Sequence, residues 1–179
     1  MHLRPATEAD LPDLLEIHNF AVRNLAAAWT EHEDTLEDRR AWLKQRQGAD
    51  LPVLLAIDDE GRFLGYGTYG SFRGRSGYNL TVEHSIYVRS DVQSKGVGRL
   101  LLETLIADAR EKGYHVMIGA VDSDNEQSLK FHQKLGFEVS SKLPQIGTKF
   151  GRWLDLYFVI LILNDDDAPP SILPPPADV

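Results

Sequence analysis

The segment that most narrows the possible folds is Gln93-Ser-Lys-Gly-Val-Gly-Arg99. It lies between a strand-like stretch, Glu83-His-Ser-Ile-Tyr-Val88, and an apolar run, Leu100-Leu-Leu-Glu-Thr-Leu-Ile-Ala-Asp-Ala109. A strand, a turn with glycines two apart and then a helix make a cradle for an anion. Gly96 and Gly98 let backbone amides approach closely, and the first unpaired N–H groups of a helix add partial positive charge. Lys95 and Arg99 bring full charges to the same spot, with Arg89 just upstream. The spacing is neither the G-x-G-x-x-G of dinucleotide folds nor the G-x-x-x-x-G-K-[ST] of a P-loop. A phosphate-bearing ligand held by Gln93, Ser94, Lys95, Gly96, Val97, Gly98 and Arg99 in a different fold is one reading. The other is a tight strand-to-helix connection with solvated cations.

The chain has 179 residues, one domain's worth. With no cysteine it has no disulfide framework, thiolate metal site or cysteine nucleophile, and a cytosolic setting is expected. The opening Met1-His-Leu-Arg-Pro-Ala-Thr-Glu does not resemble a signal peptide. The longest apolar run, Leu156 to Leu163, has eight residues, far short of a spanning helix. A net charge of −8 argues against general nucleic-acid binding. It also sharpens the cradle argument, because an acidic protein that binds a polyphosphate must gather its cations locally.

Element types alternate along the chain. His2-Leu-Arg reads as a short strand, and Asp10, with Pro12 and Asp13 behind it, opens a helix to about Asn24. Thr35, with Asp38 at the capping-box position, opens a second. Strands follow at Pro52 to Ile57, Phe63 to Tyr69 and Tyr78 to Val88, the last two joined by an Arg/Gly-rich loop, Arg73 to Gly77. The cradle helix stops near Lys112-Gly113. Then come a strand at His115 to Val121, a helix from Asn125 to Leu135 stopped by Gly136, a strand at Phe137 to Ser140 and a last strand from about Trp153 to Leu163. The expected fold is α/β (α+β): a single mixed, mostly antiparallel seven-stranded sheet flanked by about four helices. Residues 1–163 form this one domain, and the acidic, proline-rich 164–179 is expected to be a disordered tail.

Two patterns together resemble the Gcn5-related N-acetyltransferase (GNAT) superfamily: Gln-x-x-Gly-x-Gly at Gln93 to Gly98, and Asn125-x-x-Ser-x-x-x-His132-x-x-x-Gly136-Phe137. Within it, Tyr78-x-x-x-Val82-Glu83-His84-Ser85-x-Tyr87-Val88 and Gly151-Arg-Trp153-Leu-Asp155 are similar to the phosphinothricin and methionine-sulfoximine acetyltransferase branch. The resemblance spans nearly all of 1–163. It implies acetyl-CoA as acetyl donor, with the pyrophosphate on the amides of Ser94 to Arg99. It also implies a pantetheine arm beside Ile86, Tyr87 and Val88, as an added strand would lie, and a hydrogen bond from Asn125. Asn125 also reads simply as a helix cap, and the two roles can coexist.

The implied chemistry needs a neutral amine, stabilisation of the thioester oxygen and a proton for the thiolate. A backbone N–H of the Ile86–Val88 strand suits the oxygen. Glu83 stands as general base or ammonium anchor, with a pKa that an apolar β-rich setting would raise, or else is an outward-facing strand glutamate. His132 occupies a position where the superfamily usually has a tyrosine acid, and it reads equally as that acid or as a packing residue. His84 and His115 read as structural, Trp42 as core, and no histidine spacing suggests a metal. By the resemblance, the substrate pocket takes Trp29 (with Thr30 and Glu31), Tyr78, Val82 and Glu83. Arg73 and Arg75 would fork onto a carboxylate, or else are solvated loop arginines.

The expected activity is acetyl transfer to the α-amino group of a small amino-acid analogue such as methionine sulfoximine, methionine sulfone or phosphinothricin. The expected partners are that amine and a second copy in a homodimer, with no nucleic acid or membrane. The alternatives are protein N-terminal or general amine acetylation, and a non-catalytic acyl-CoA sensor.

Overall fold

The computed structural model describes residues 1–92 and 96–171. In chain order its elements are β1 (His2–Pro5), α1 (Leu11–Asn24), α2 (Leu36–Gly48), β2 (Val53–Ile57), β3 (Phe63–Ser71), β4 (Thr81–Val88), α3 (Val97–Glu111), β5 (Val116–Asp122), α4 (Glu126–Gln133), β6 (Glu138–Val139), β7 (Leu143–Lys149) and β8 (Arg152–Ile162). One eight-stranded sheet runs β1-β2-β3-β4-β5-β8-β6, with β7 pairing the other half of β8. Every pairing is antiparallel except β4 with β5.

Local sequence explains the helix starts. Thr35 accepts from the Asp38 amide while the Asp38 carboxylate reaches back to the Thr35 amide, a complete capping box. Asp10 precedes α1 but does not cap it. Its carboxylate takes the amide and hydroxyl of Thr7 and both terminal nitrogens of Arg4. Gly113 and Gly136 follow α3 and α4 with φ of 77° and 88°, the left-handed stop that a Cβ disfavours.

The sheet is covered on both faces. Leu11, Leu14 and Ile17 of α1 and Leu43 of α2 pack on Val53, Leu55, Ile57 and Tyr66. On the other face, Leu102, Leu105, Ile106 and Ala109 of α3 pack on Tyr69, Val82, Met117 and Val159. Alternation along β4 divides its side chains: Val82 and His84 point to the α3 face, and Tyr87 joins the α1 side.

Three expectations change. The sheet has eight strands rather than seven, the addition being β7, whose Leu-Pro-Gln-Ile-Gly-Thr-Lys lacks a strand's alternation. β4 begins at Thr81; Ser76–Tyr78 form a single helical turn instead. The tail is tied down at its root, where Asn164 bonds the His115 ring at 2.6 Å and the Tyr114 carbonyl at 3.3 Å. Residues 165–171 are exposed, and 172–179 lie outside the described residues.

Candidate active site

β4 and β5 are paired at only three positions, ending at Glu83 opposite Ile118. Beyond that point β4 keeps β3 on one edge, as far as Val88 opposite Gly65, while β5 continues against β8. The two strands fork, and from His84 to Val88 one edge of β4 has no strand partner among the described residues. A fork of this kind offers backbone donors and acceptors to an extended ligand.

A stacked histidine pair sits on the α3 face at the apex. The His84 ring fills the space next to Gly119: a Cβ there would lie 2.6 Å from its Nε2. His84 stacks on His132 at 5.1 Å and 27°, edge-on to Phe137. Neither of its ring nitrogens has a hydrogen-bond partner among the described residues, and burial, helped by His132, holds its pKa down at about 3. It is neutral at any physiological pH. His132 donates Nδ1–H to the Ser128 carbonyl at 2.7 Å, which leaves the lone pair on a buried Nε2. Burial lowers its pKa, with the Ser128 bond opposing.

Glu83 stands at the same apex, half-buried. Desolvation raises its pKa, and the Arg73 charge partly offsets this. Arg73 lies over the rings of Phe72 and Tyr78 at 5.0 and 5.7 Å. Both Arg73 and Arg75 are exposed, and Tyr78 donates its amide to the Arg75 carbonyl to close the loop.

The loop after α1 packs between β4 and the β7–β8 hairpin. Ala28 packs with Ala21, Val22 and Tyr87, and the Trp29 ring lies on Gly147, where a Cβ would come within 2.5 Å. Phe150 donates its amide to Glu31 at 2.7 Å, and the Lys149 ammonium donates to the carbonyls of Leu25 (2.7 Å) and Ala28. The indole N–H of Trp29 is buried without a partner among the described residues.

At the open end of β4, Gly96 adopts φ 83° and begins α3. The first helical bond there runs from Leu100 to Gly96, so the amides of Val97, Gly98 and Arg99 precede the ladder. A Cβ on Gly98 would lie 3.7 Å from both Val88 and Phe131, an ordinary contact distance. The cations expected at this cradle are paired locally, Arg99 with Glu103 (2.8 Å) and Arg89 with Asp91 (3.2 Å). Gln93, Ser94 and Lys95 lie outside the described residues. Asn125 caps α4, accepting from Ser128 at 3.0 Å.

Most of the expected residues thus gather round one fork. Val82 does not: it is fully buried in the α3-face core, so its side chain packs there and cannot line a pocket. Sequence reasoning missed Lys149, Gly119 and the Asp34 junction, where Asn19 exchanges hydrogen bonds with the Asp34 backbone and Arg39 pairs with its carboxylate. None of the three carries a motif.

A β4/β5 fork with a glycine-led helix at its open end and a carboxylate at its apex defines an acyltransferase architecture. Residues 3–158 match the Acetyltransferase (GNAT) domain, and the chain belongs to this family of acetyltransferases. It is 47% identical to the L-methionine sulfoximine/L-methionine sulfone acetyltransferase of Pseudomonas aeruginosa, over 94% of this chain and 98% of that one. YncA of Salmonella typhimurium, solved with its cofactor acetyl-CoA, superposes with a TM-score of 0.92 at 42% identity, covering 96% of this chain and 99% of the other. A ribosomal-protein-alanine N-acetyltransferase of Brucella melitensis gives 0.88 at 46%, covering 90% and 99%.

Proposed function

We propose that this protein transfers the acetyl group of acetyl-CoA to the α-amino group of a small amino-acid analogue of the methionine sulfone or methionine sulfoximine type. The observation that carries the reading is the fork, with the raised-pKa carboxyl of Glu83 at its apex. The residues present fit the donor: the free β4 edge suits an amide-bearing arm, and the leading amides of α3, behind a left-handed Gly96, suit its phosphates.

In this reading acetyl-CoA supplies an acyl group on a good leaving group. Glu83 holds the ammonium and takes one proton, so that the neutral nitrogen can attack the carbonyl carbon. As the C–S bond breaks CoA leaves as its thiolate, and the nitrogen's remaining extra proton passes through water to that sulfur. A β4 backbone N–H between Ile86 and Val88 donates to the carbonyl oxygen as it gains charge. Arg73, beside Glu83, accepts the substrate carboxylate, assisted by Arg75, while Trp29 and Tyr78 close the sides. Asn125 serves α4 as its cap and the donor as a hydrogen-bond partner. His132 begins neutral with its only N–H committed to Ser128, so protonating a thiolate requires a second proton that burial opposes. Its geometry supports a packing and acceptor role more than an acid's.

The Brucella neighbour raises protein N-terminal acetylation as a second reading. Against it, the loop at 25–31 is fastened to the β7–β8 hairpin at three points, and a fixed loop there favours a small amine over a peptide. A cytosolic homodimer completes the proposal. Ile146, Phe150 and Trp153 expose apolar surface along that hairpin, Trp153 to 66%, more than a lone surface aromatic needs.

Thiol release from acetyl-CoA tests the function with three acceptors: L-methionine sulfone, its methyl ester and an alanine-ended peptide. The free amino acid should be preferred by at least tenfold. Preference for the peptide would transfer the assignment to the second reading.

A further inference from the structure

Lys149 is almost completely buried, at 1% exposure, a rare state for an ammonium that forms no ion pair with a carboxylate among the described residues. Its partners are main-chain carbonyls of a segment more than a hundred residues away, Leu25 and Ala28, at the end of α1. The Phe150 ring lies 4.9 Å from the charge. Burial lowers its pKa, and the nearby Glu31 opposes. Lys149 is not alone at this joint. The Phe150 amide holds Glu31 on one side, and the Trp29 ring is pressed on Gly147 on the other. Lys149 ends β7 and Gly147 lies within it, whereas Trp29 and Glu31 follow Ala28, which packs on Tyr87.

We propose that Lys149 is a positioning residue for the amine substrate: its ammonium clasps the loop at 25–31 to the β7–β8 hairpin and so fixes the Trp29 wall against the Glu83 side of the fork. The proposal rests on the reading that the amine enters on that side. A carbonyl at a helix end and a second one in the following loop form a site for a cation, and the four-carbon stem of Lys149 reaches it from the end of β7. The phosphate-binding end of α3 is remote from this joint in the chain and makes none of these contacts. Loosening the clasp should therefore disturb the amine and spare the donor.

The test is Lys149→Met, which keeps the apolar stem and removes the charge, assayed on the full chain with L-methionine sulfone and acetyl-CoA. The KM for the sulfone should rise tenfold or more, that for acetyl-CoA should stay within twofold, and hydrogen exchange should quicken in both 25–31 and 143–150. Gly147→Ala presses the same joint apart with Lys149 intact and should give the same split; it decides the matter where Lys149→Met does not fold. An unchanged sulfone KM, or equal rises for both substrates, overturns the proposal. Failure of the proposed function looks different, because wild type itself would then release no thiol with the sulfone. The clasp would in that case be judged by exchange alone, and unchanged exchange at 25–31 in Lys149→Met would reject it.

Discussion

The ring of His84 and the bare α-carbon of Gly119 meet at the first position where β4 and β5 no longer pair, and each needs the other's shape. A methyl on residue 119 would sit 2.6 Å from His84 Nε2 and 2.9 Å from Val159 Cγ2. Both neighbours are held in place, since His84 is buried against the His132 and Phe137 rings and Val159 is fully buried. Gly119→Ala should cost about 1–3 kcal/mol, the usual penalty of overpacking a core, seen as a lower midpoint in urea. Calorimetry should also show weaker acetyl-CoA binding, because the fork's apex must shift. A variant with unaltered stability would mean that the His84–Gly119 contact is slack.

Gly96 poses a different restriction. A Cβ there would meet no atom of the described residues within 4 Å, so among them a larger side chain is opposed by the backbone, at φ 83°, and not by a clash. Gly96→Ala should lose about 1–2 kcal/mol from left-handed strain, and Gly96→Val more, with acetyl-CoA affinity falling as the α3 amides move. Equal affinity in calorimetry would detach the cradle from the donor.

Much of this was legible in the sequence, and the exceptions have physical causes. Periodicity and punctuation located the four helices and most strands, because Thr35/Asp38, Gly113 and Gly136 act through local bonds and dihedrals. β7 was invisible since its hairpin turn is Phe150-Gly151, both at positive φ (51° and 69°), rather than the Asn-Gly that announces such turns. Its register with β8 also slips between Leu143 and Gly147. Glu83, His132 and the glycines could be singled out in the sequence because they stand in motifs. Lys149 was not, because its partners are carbonyls that any residue could supply. Val82 was misplaced through its neighbour: adjacent residues on a strand face opposite ways, and Val82 turns into the α3-face core while Glu83 turns away from it.

Arg73 should reveal itself twice. Losing a charge-assisted hydrogen bond to a carboxylate costs about 1.5–3 kcal/mol, so Arg73→Ala should raise the sulfone KM about ten- to a hundredfold and leave the methyl ester little affected. Arg73 also holds the Glu83 pKa down. Its removal should therefore move the acid limb of the pH–rate profile to higher pH. A limb that stays in place would separate the two residues electrostatically.

Acid stability should trace to Asp10. Its hydrogen bond and pairing with Arg4, and the Thr7 donors, lower its pKa to about 2. A carboxylate depressed in the folded state stabilises above its unfolded pKa of about 3.9 and loses that contribution as the pH falls through the folded value. Asp10→Asn should be about 1–2 kcal/mol less stable than wild type at pH 7, discounted for the partly exposed arginine. The gap should close near pH 2. A pH-independent difference in denaturant titrations would assign the loss to geometry instead of charge.

Glu83→Gln is the most direct measurement. The folded state raises the Glu83 pKa, so its contribution to stability is greatest at low pH and is lost as the pH rises through that value. The glutamine variant should therefore be more stable than wild type at pH 7 and no longer so below about pH 4, near the ordinary glutamate pKa. Its kcat/KM for L-methionine sulfone at pH 7 should fall on the order of 10²-fold or more, the scale of a positioned base. The acid limb of the wild-type profile should vanish with it. Recovery above about pH 9, where free amine is abundant, would mark Glu83 as the base, and a loss confined to KM at low pH would mark it as the ammonium anchor. Wild-type rates for Glu83→Gln across the whole pH range would contradict the account.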